Sequence, residues 1–188
     1  SRLPAINAAS VLYHGTLALR NRPSREALED LRKGLDAKVL LDVNLRAPWW
    51  CKEEVLACVN ASDWVKLNED ELKLLGGDDA ADHHSRAQGF LQTHGLTGLV
   101  VTLGENGDFA CTEQGGFAEV EPTGLSKVVD TVGAGDAFTS VLILGLSREW
   151  PLALTLQRAQ DFAARVVSQR GATIHERELY AEVLQGWS

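Results

Sequence analysis

Short apolar runs alternate with amphipathic segments along most of the chain. The run from Leu99 to Leu103 is rich in β-branched residues and ends at Gly104, which predicts a central parallel strand buried on both faces. Between Ser24 and Asp36 three leucines recur at the spacing of one helical face, and this predicts an amphipathic helix. Strands and helices are therefore expected to alternate along the chain.

The same criteria predict the other elements. Strands are expected at Val11–Leu19, Val39–Leu41, Trp64–Leu67, Asp108–Thr112 and Phe117–Val120, and helices at Lys52–Asn60, Asn68–Leu75, Ala80–Thr93, Ala134–Leu146, Leu152–Ser168 and Glu176–Gln185. The last two strands flank a glycine-containing turn, which predicts a hairpin. The helix from Ala134 is apolar nearly all round and is expected to be buried. The sequence therefore predicts an α/β fold with a mainly parallel sheet flanked by helices on both faces, where ligands bind beyond the carboxyl ends of the strands.

Length and charge narrow the function classes. The chain has 188 residues, 45% of them hydrophobic, so a single α/β domain over residues 1–188 is expected. A formal net charge of −8 argues against a nucleic-acid partner. The negative net charge remains compatible with a small phosphate ligand, because backbone amides at the start of a helix bind anions whatever the net charge. No apolar run approaches the length of a membrane span, so no membrane partner is expected.

The cysteine pattern predicts the cellular compartment of the protein, and the lack of methionine predicts a longer parent chain. The three cysteines, Cys51, Cys58 and Cys111, include no C-x-x-C pair. This pattern favours neither a disulfide framework nor a cysteine zinc site, and it fits a reducing cytoplasm. The chain contains no methionine. It therefore has no initiator residue, and we expect an N-terminally truncated or processed piece of a longer protein.

The sharpest motif is the glycine-rich stretch Asp130–Phe138, which runs directly into the buried helix. Gly133 and Gly135 remove side chains where a phosphate would approach the backbone, and the first amides of the helix point outward at its positive end. Gly133, Ala134 and Gly135 are therefore expected to form an anion hole. A carboxylate in the same loop repels phosphate, so Asp136 is expected to take the proton of an attacking hydroxyl.

A plainer interpretation stays open for the short form of this motif. The glycines could simply turn the chain while Asp136 favours the positive helix end, and for a bare G-A-G-D the two interpretations have about even odds. The whole stretch, however, resembles the D-T-x-G-A-G-D signature of the ribokinase (PfkB) family of carbohydrate kinases. It is neither a Walker loop nor a dinucleotide fingerprint. The resemblance implies a ribokinase-like fold, ATP and Mg²⁺ as cofactors, and Asp136 as the base that activates a sugar hydroxyl.

A second segment, from Lys66 to Glu71, resembles the N-x-x-E motif of that family. The resemblance implies that Asn68 and Glu71 serve Mg²⁺ and the phosphates, partly through water. Magnesium keeps several waters and takes few protein carboxylates, so this pair is chemically adequate. The same spacing is close to a capping box at a helix start, and both interpretations can hold together.

Two further segments resemble the nucleotide-binding parts of the family. Thr102, Gly104 and Gly107 follow the central strand and match its T-x-G-x-x-G segment, which lies against the nucleotide. An ordinary tight turn is the alternative. Gly171 and Ala172 match a late loop that closes over adenine, for which a helix ending at a glycine is an equally good interpretation.

The segment Asp42–Arg46 resembles the D-x-N-x-R sequence of fructokinase-like and ketodeoxygluconate-kinase-like members. Its alternating polar residues, Asp42, Asn44 and Arg46, are expected to face one side and to contact sugar or phosphate. Arg46 suits this role because its guanidinium is a fixed fork of donors. The alternative is a polar strand end with Arg46 in a surface ion pair.

The resemblance covers nearly the whole chain from Val11 onward, with its four motifs in the family's order. Asp130 and Val132 match part of a monovalent-cation pattern, so a K⁺ site stays open. What is absent is the family's N-terminal portion, with most sugar contacts and the lid. The expected function is ATP-dependent phosphorylation of a sugar hydroxyl, with a fructokinase-like substrate first. The alternative function is a non-catalytic nucleotide-binding fragment. A hydride-transfer enzyme is disfavoured, because the dinucleotide fingerprint is absent. The full-length protein could form a homodimer.

Overall fold

In the part of the chain that the structure describes, six strands form one sheet and lie side by side in sequence order. The computed structural model describes residues 11–77, 82–122, 133–167 and 186–187. The strands are β1 (Val11–Gly15), β2 (Lys38–Asp42), β3 (Trp64–Asn68), β4 (Gly98–Thr102), β5 (Asp108–Thr112) and β6 (Phe117–Val120). β1 to β4 are parallel, and β5 and β6 run antiparallel as a hairpin at one edge. The mainly parallel sheet and the hairpin are confirmed.

The described part of the chain contains six α-helices beside this sheet. They are α1 (Arg22–Gly34), α2 (Lys52–Val59), α3 (Glu69–Gly76), α4 (His83–His94), α5 (Ala134–Ser147) and α6 (Leu152–Val167). α5 and α6 pack on one face, whereas α2, α3 and α4 pack on the other. None of the described helices is long and apolar enough to cross a lipid bilayer. The helix predicted at Glu176–Gln185 lies outside the described residues.

The central strand β4 is buried on both faces, as its sequence predicts. Val100 belongs to the core under α5 and α6, and its neighbours Leu99 and Val101 belong to the opposite core. All three side chains are fully buried. Because each such burial contributes roughly 1.5–3 kcal/mol, the alternation of side chains fixes which face of the sheet each residue of β4 occupies.

The strand prediction for Val11–Leu19 is wrong in length and in burial. β1 ends at Gly15, a 3₁₀ turn follows at Leu17–Arg20, and β1 is only half-buried at the edge of the described sheet. The ladder stops because Gly15 already pairs with Asp42, the last residue of β2. Beyond that point the chain bends, and the Thr16 hydroxyl donates to the Val43 carbonyl.

Close packing against α6 anchors α5 near its C-terminal end. Gly145 faces Thr155 of α6, and a β-carbon at position 145 would lie 2.3 Å from the Thr155 methyl group. The middle of α5 is buried, as expected, through Phe138, Val141 and Leu142 among others. Its first turn differs and remains at the surface. The helix is thus anchored along its length while its beginning stays open.

Candidate active site

Three backbone amides in the first turn of α5 have no acceptor within the helix itself. Gly133 precedes the helix with φ 89°, a left-handed conformation that favours glycine. The first helical hydrogen bond is donated by the amide of Ala137 to the Gly133 carbonyl at 2.9 Å, so the amides of Ala134, Gly135 and Asp136 have no acceptor within the helix. Within the described ranges no side chain caps α5. An anion at this point would receive these donors and the positive end of the helix dipole.

Asp136 lies in this same turn and is exposed, as is Gly135. The turn is therefore not sealed beneath other side chains. Across from it, burial raises the pKa of the Tyr13 hydroxyl, and the nearby charges of Asp42 and Asp136 raise it further. The charge of Asp136 is thus near enough to β1 to act on the Tyr13 hydroxyl. Asp130 and Val132, which match part of the family's monovalent-cation pattern, lie outside the described residues.

A lysine that sequence reasoning passed over lies directly beneath the turn. Lys66 of β3 is buried, and its Nζ stands 3.2 Å from each carboxylate oxygen of Asp42. The same Nζ is 3.5 Å from where a β-carbon on Gly135 would lie. Its signal in the sequence is the charge itself, because Lys66 interrupts an otherwise apolar strand and a buried charge needs a partner.

Asp42 is not a surface group that awaits a ligand. It is 3% exposed, pairs with Lys66 and lies 2.9 Å from the Thr139 hydroxyl of α5. The expectation that Asp42, Asn44 and Arg46 face one side is wrong, because β2 ends at Asp42 and the backbone turns at Asn44 with φ 42°.

Asn44 is exposed, and Arg46 lines a cavity of about 220 Å³ between α1 and α2. Trp50 and Cys58 line the same cavity. Helix α2 packs on the sheet face opposite α5. Asp42 therefore belongs to the interior beneath α5, whereas Arg46 belongs to the surface near α2.

Asn68 and Glu71 form the capping box that their spacing predicts. The Glu71 amide donates to Asn68 Oδ1 at 2.8 Å, and Glu71 Oε2 accepts the Asn68 amide at 2.9 Å. Its other oxygen accepts the Leu45 amide at 2.6 Å. Burial raises the pKa of Glu71, while both amides and Lys66 act in the opposite direction. Since each Glu71 oxygen already accepts an amide, a metal ion would suit this pair through water rather than by direct coordination.

The turn after β4 brings the predicted nucleotide residues beside the capping box. Thr102 pairs with Asn68 across β3 and β4. Gly104 is exposed with φ 63° and open space around it, whereas Gly107 is buried with φ 89°. A β-carbon at Gly107 would lie 2.2 Å from the Val120 carbonyl oxygen, so packing alone requires that glycine. Gly171 and Ala172 lie outside the described residues.

A second missed residue, Asp108, begins β5 opposite Thr102. It is 6% exposed. Burial raises its pKa to about 7, with the Lys66 ammonium and the Leu103 amide acting in the opposite direction. At the sequence level Asp108 is typical of a turn residue, which is why its burial was not foreseen. Lys66 thus pairs with Asp42, and its charge also lowers the pKa values of Glu71 and Asp108.

Several known kinases have sequences similar to that of this chain. The model of the pfkB family carbohydrate kinases matches residues 2–178. Aminoimidazole riboside kinase of Salmonella typhimurium strain LT2 is 34% identical over 183 residues, which are 90% of this chain and 56% of that protein. Probable fructokinase-7 of Arabidopsis thaliana is 32% identical over 187 residues, 89% of this chain and 52% of that protein. The chain thus spans about half the length of the curated relatives it matches.

Solved structures agree with this likeness. Fructokinase from Vibrio cholerae O395, with fructose, ADP and calcium ion bound, superposes with a TM-score of 0.79 at 28% identity, over 95% of this chain and 62% of that one. Aminoimidazole riboside kinase from Salmonella enterica, complexed with aminoimidazole riboside and an ATP analog, gives 0.76 at 28% identity, over 94% and 63%. With its ribokinase-like fold and a family match over residues 2–178, this chain belongs to the pfkB family of carbohydrate kinases.

Proposed function

We propose that the protein transfers the terminal phosphoryl group of ATP to a hydroxyl of a small sugar, with Asp136 as the base. The observation that carries this proposal is the first turn of α5, where an exposed carboxylate stands beside amides that lack helical acceptors. Family membership supports it.

Each group in this turn has a distinct task in the proposed reaction. Asp136 accepts the proton of the sugar hydroxyl as that oxygen attacks phosphorus. The amides of Ala134 and Gly135 stabilise the charge that develops on the transferred group, and their fixed positions avoid a reorganisation cost. The ADP oxygen leaves on the far side of the phosphorus. The protein thus supplies position and charge, with no covalent intermediate.

ATP and a divalent cation are the cofactors that this chemistry requires. Mg²⁺ would neutralise the phosphate oxygens and be carried chiefly by ATP. Asn68 and Glu71 suit it through water, because Glu71 already accepts two backbone amides. A monovalent cation such as K⁺ is proposed at Asp130 and Val132 only on the family resemblance. A solved family neighbour is described in a potassium-bound form.

The sugar class is proposed from the relatives. Several are named fructokinase and one is named aminoimidazole riboside kinase, so fructose is our first candidate and a riboside the second. Both offer a primary hydroxyl on a five-membered ring. We also propose a cytoplasmic location, because all three cysteines are free thiols, as a reducing compartment favours.

The direct test is a sugar panel with ATP and Mg²⁺, run on the whole protein that carries this chain. The panel holds fructose, aminoimidazole riboside, ribose and ketodeoxygluconate, and the measurement is the phosphorylated product together with ADP. We expect one sugar to give product at a 1:1 ratio to ADP. ATP binding without product from any sugar would overturn the kinase proposal in favour of a nucleotide-binding protein.

A further inference from the structure

The start of α5 rests on a buried ion pair whose arrangement is unusual for a helix. Cations near the first turn are normally unfavourable, because the helix dipole already places positive potential there. Lys66 nevertheless has its ammonium 3.5 Å from where a β-carbon on Gly135 would lie. The side chain is almost wholly buried, so solvent screens it little. The positive charge therefore lies where it would act on an anion bound at the turn.

Asp42 connects this lysine to the helix itself. One of its oxygens, Oδ2, is 3.2 Å from Lys66 Nζ and 2.9 Å from the Thr139 hydroxyl. That hydroxyl also lies 2.8 Å from the Gly135 carbonyl, and it has one proton to donate. The charged acceptor is the stronger of the two, so Thr139 donates chiefly to Asp42. Lys66, Asp42 and Thr139 thus link β3, β2 and the first turns of α5.

We propose that Lys66 is a positioning residue of the phosphate site, which acts through Asp42 and Thr139 to hold the first turn of α5 and adds positive potential there. The stability of the fold does not require such a pair, since burying two charges costs desolvation that apolar residues would avoid. Position and charge at the anion site account for it. The inference rests on the proposed function at one point, the binding of ATP phosphates at this turn.

The test compares affinities for ATP with Mg²⁺ and for adenosine, which lacks phosphates. Lys66→Met keeps the length and removes the charge, and Lys66→Arg restores it. We expect Lys66→Met to weaken ATP binding about 10- to 100-fold, because the unpaired Asp42 then repels the phosphates at low dielectric. Adenosine affinity should stay unchanged, and Lys66→Arg should recover part of the loss. The matched control is Val141→Ala, a buried apolar change on the same helix.

A second pair of variants covers the case in which Lys66→Met fails to fold, since it leaves Asp42 alone in the interior. Thr139→Val removes the hydroxyl at nearly constant volume, and Thr139→Ser keeps it. We expect Thr139→Val to lower the preference for ATP over adenosine about 3- to 10-fold, and Thr139→Ser to retain it. Circular dichroism at the assay temperature confirms that each compared variant is folded.

The outcomes separate this inference from the proposed function. If the unaltered protein binds ATP no better than adenosine, the proposed phosphate site is wrong. If it prefers ATP and folded Lys66→Met or Thr139→Val keeps the full preference, only the inference on Lys66 is wrong. An equal loss in Val141→Ala would also overturn it, since packing of α5 would then explain the effect.

Discussion

Single buried ionisable side chains give this molecule a pH dependence that its charge composition does not reveal. Burial raises the pKa of Asp108 to about 7 and lowers that of His14 to about 4. Between about pH 4 and 7, the folded protein therefore keeps a proton on Asp108 that the unfolded chain has lost. Between about pH 4 and 6.5, His14 is neutral in the folded protein but protonated in the unfolded chain. Between about pH 4 and 6.5 the two effects oppose each other, since the slope of stability follows the difference in bound protons.

Replacing Asp108 separates its effect on the free energy of unfolding from that of His14. In the native protein Asp108 lowers the free energy of unfolding as pH rises from about 4 to 7, because the folded state must give up its proton. Asp108→Asn removes that loss, and we expect the variant to be more stable at pH 8 by up to about 4 kcal/mol. Urea unfolding at several pH values measures it.

The shape of the profile is the control for this experiment. With residue 108 unable to titrate, Asp108 no longer opposes the effect of His14, so between pH 4 and 6.5 the stability of Asp108→Asn should rise relative to that of the unaltered protein. At pH 4 the variant and the unaltered protein should have nearly equal stability. A variant that is less stable at every pH would contradict the raised pKa of Asp108.

Sequence patterns predicted the features that depend on a single element and missed those that depend on contacts between elements. Local patterns predicted β4, the hairpin and the start of α5, because each depends on the residues within the element. The Lys66–Asp42 pair was not foreseen, since it depends on the register between β2 and β3. The expectation that Arg46 shares a face with Asp42 was wrong because one left-handed residue, Asn44, redirects the chain. The capping box was foreseen, as its partners lie three residues apart.

The α5–α6 contact gives a prediction at this scale. A β-carbon at Gly145 would meet Thr155 at 2.3 Å, so Gly145→Ala must push the helices apart and should cost about 1–3 kcal/mol. Gly89 in α4 has open space around its α-carbon. Gly89→Ala should therefore stabilise by about 0.5–1 kcal/mol.

Thermal unfolding of both variants measures this difference. Thr155→Ala, added to Gly145→Ala, removes the methyl and hydroxyl groups and should recover part of the lost stability. Equal effects at Gly145 and Gly89 would show that helix propensity alone is at work. The close approach of α5 to α6 would then not be needed to hold the site.

At the scale of the whole molecule, two cores on opposite faces of the sheet bring the candidate site together. One core anchors α5, and the other anchors α3 behind the Asn68–Glu71 box. Both α5 and α3 begin at the same end of the sheet, where the carboxyl ends of β2, β3 and β4 lie. The sequence predicted this architecture because its strands and helices alternate. It could not predict which polar side chains would be buried there, since that follows from the assembled fold.

The central claim is that Asp136 is the base beside the phosphate site, and Asp136→Asn tests it most directly. The substitution keeps the size of the side chain and removes the proton acceptor. We expect kcat with the accepted sugar to fall about 10²- to 10⁴-fold while ATP affinity is retained, with exposed Asp30→Asn in α1 as the unaffected control. Asp136→Asn with full kcat, or with a loss matched by Asp30→Asn, would contradict the account.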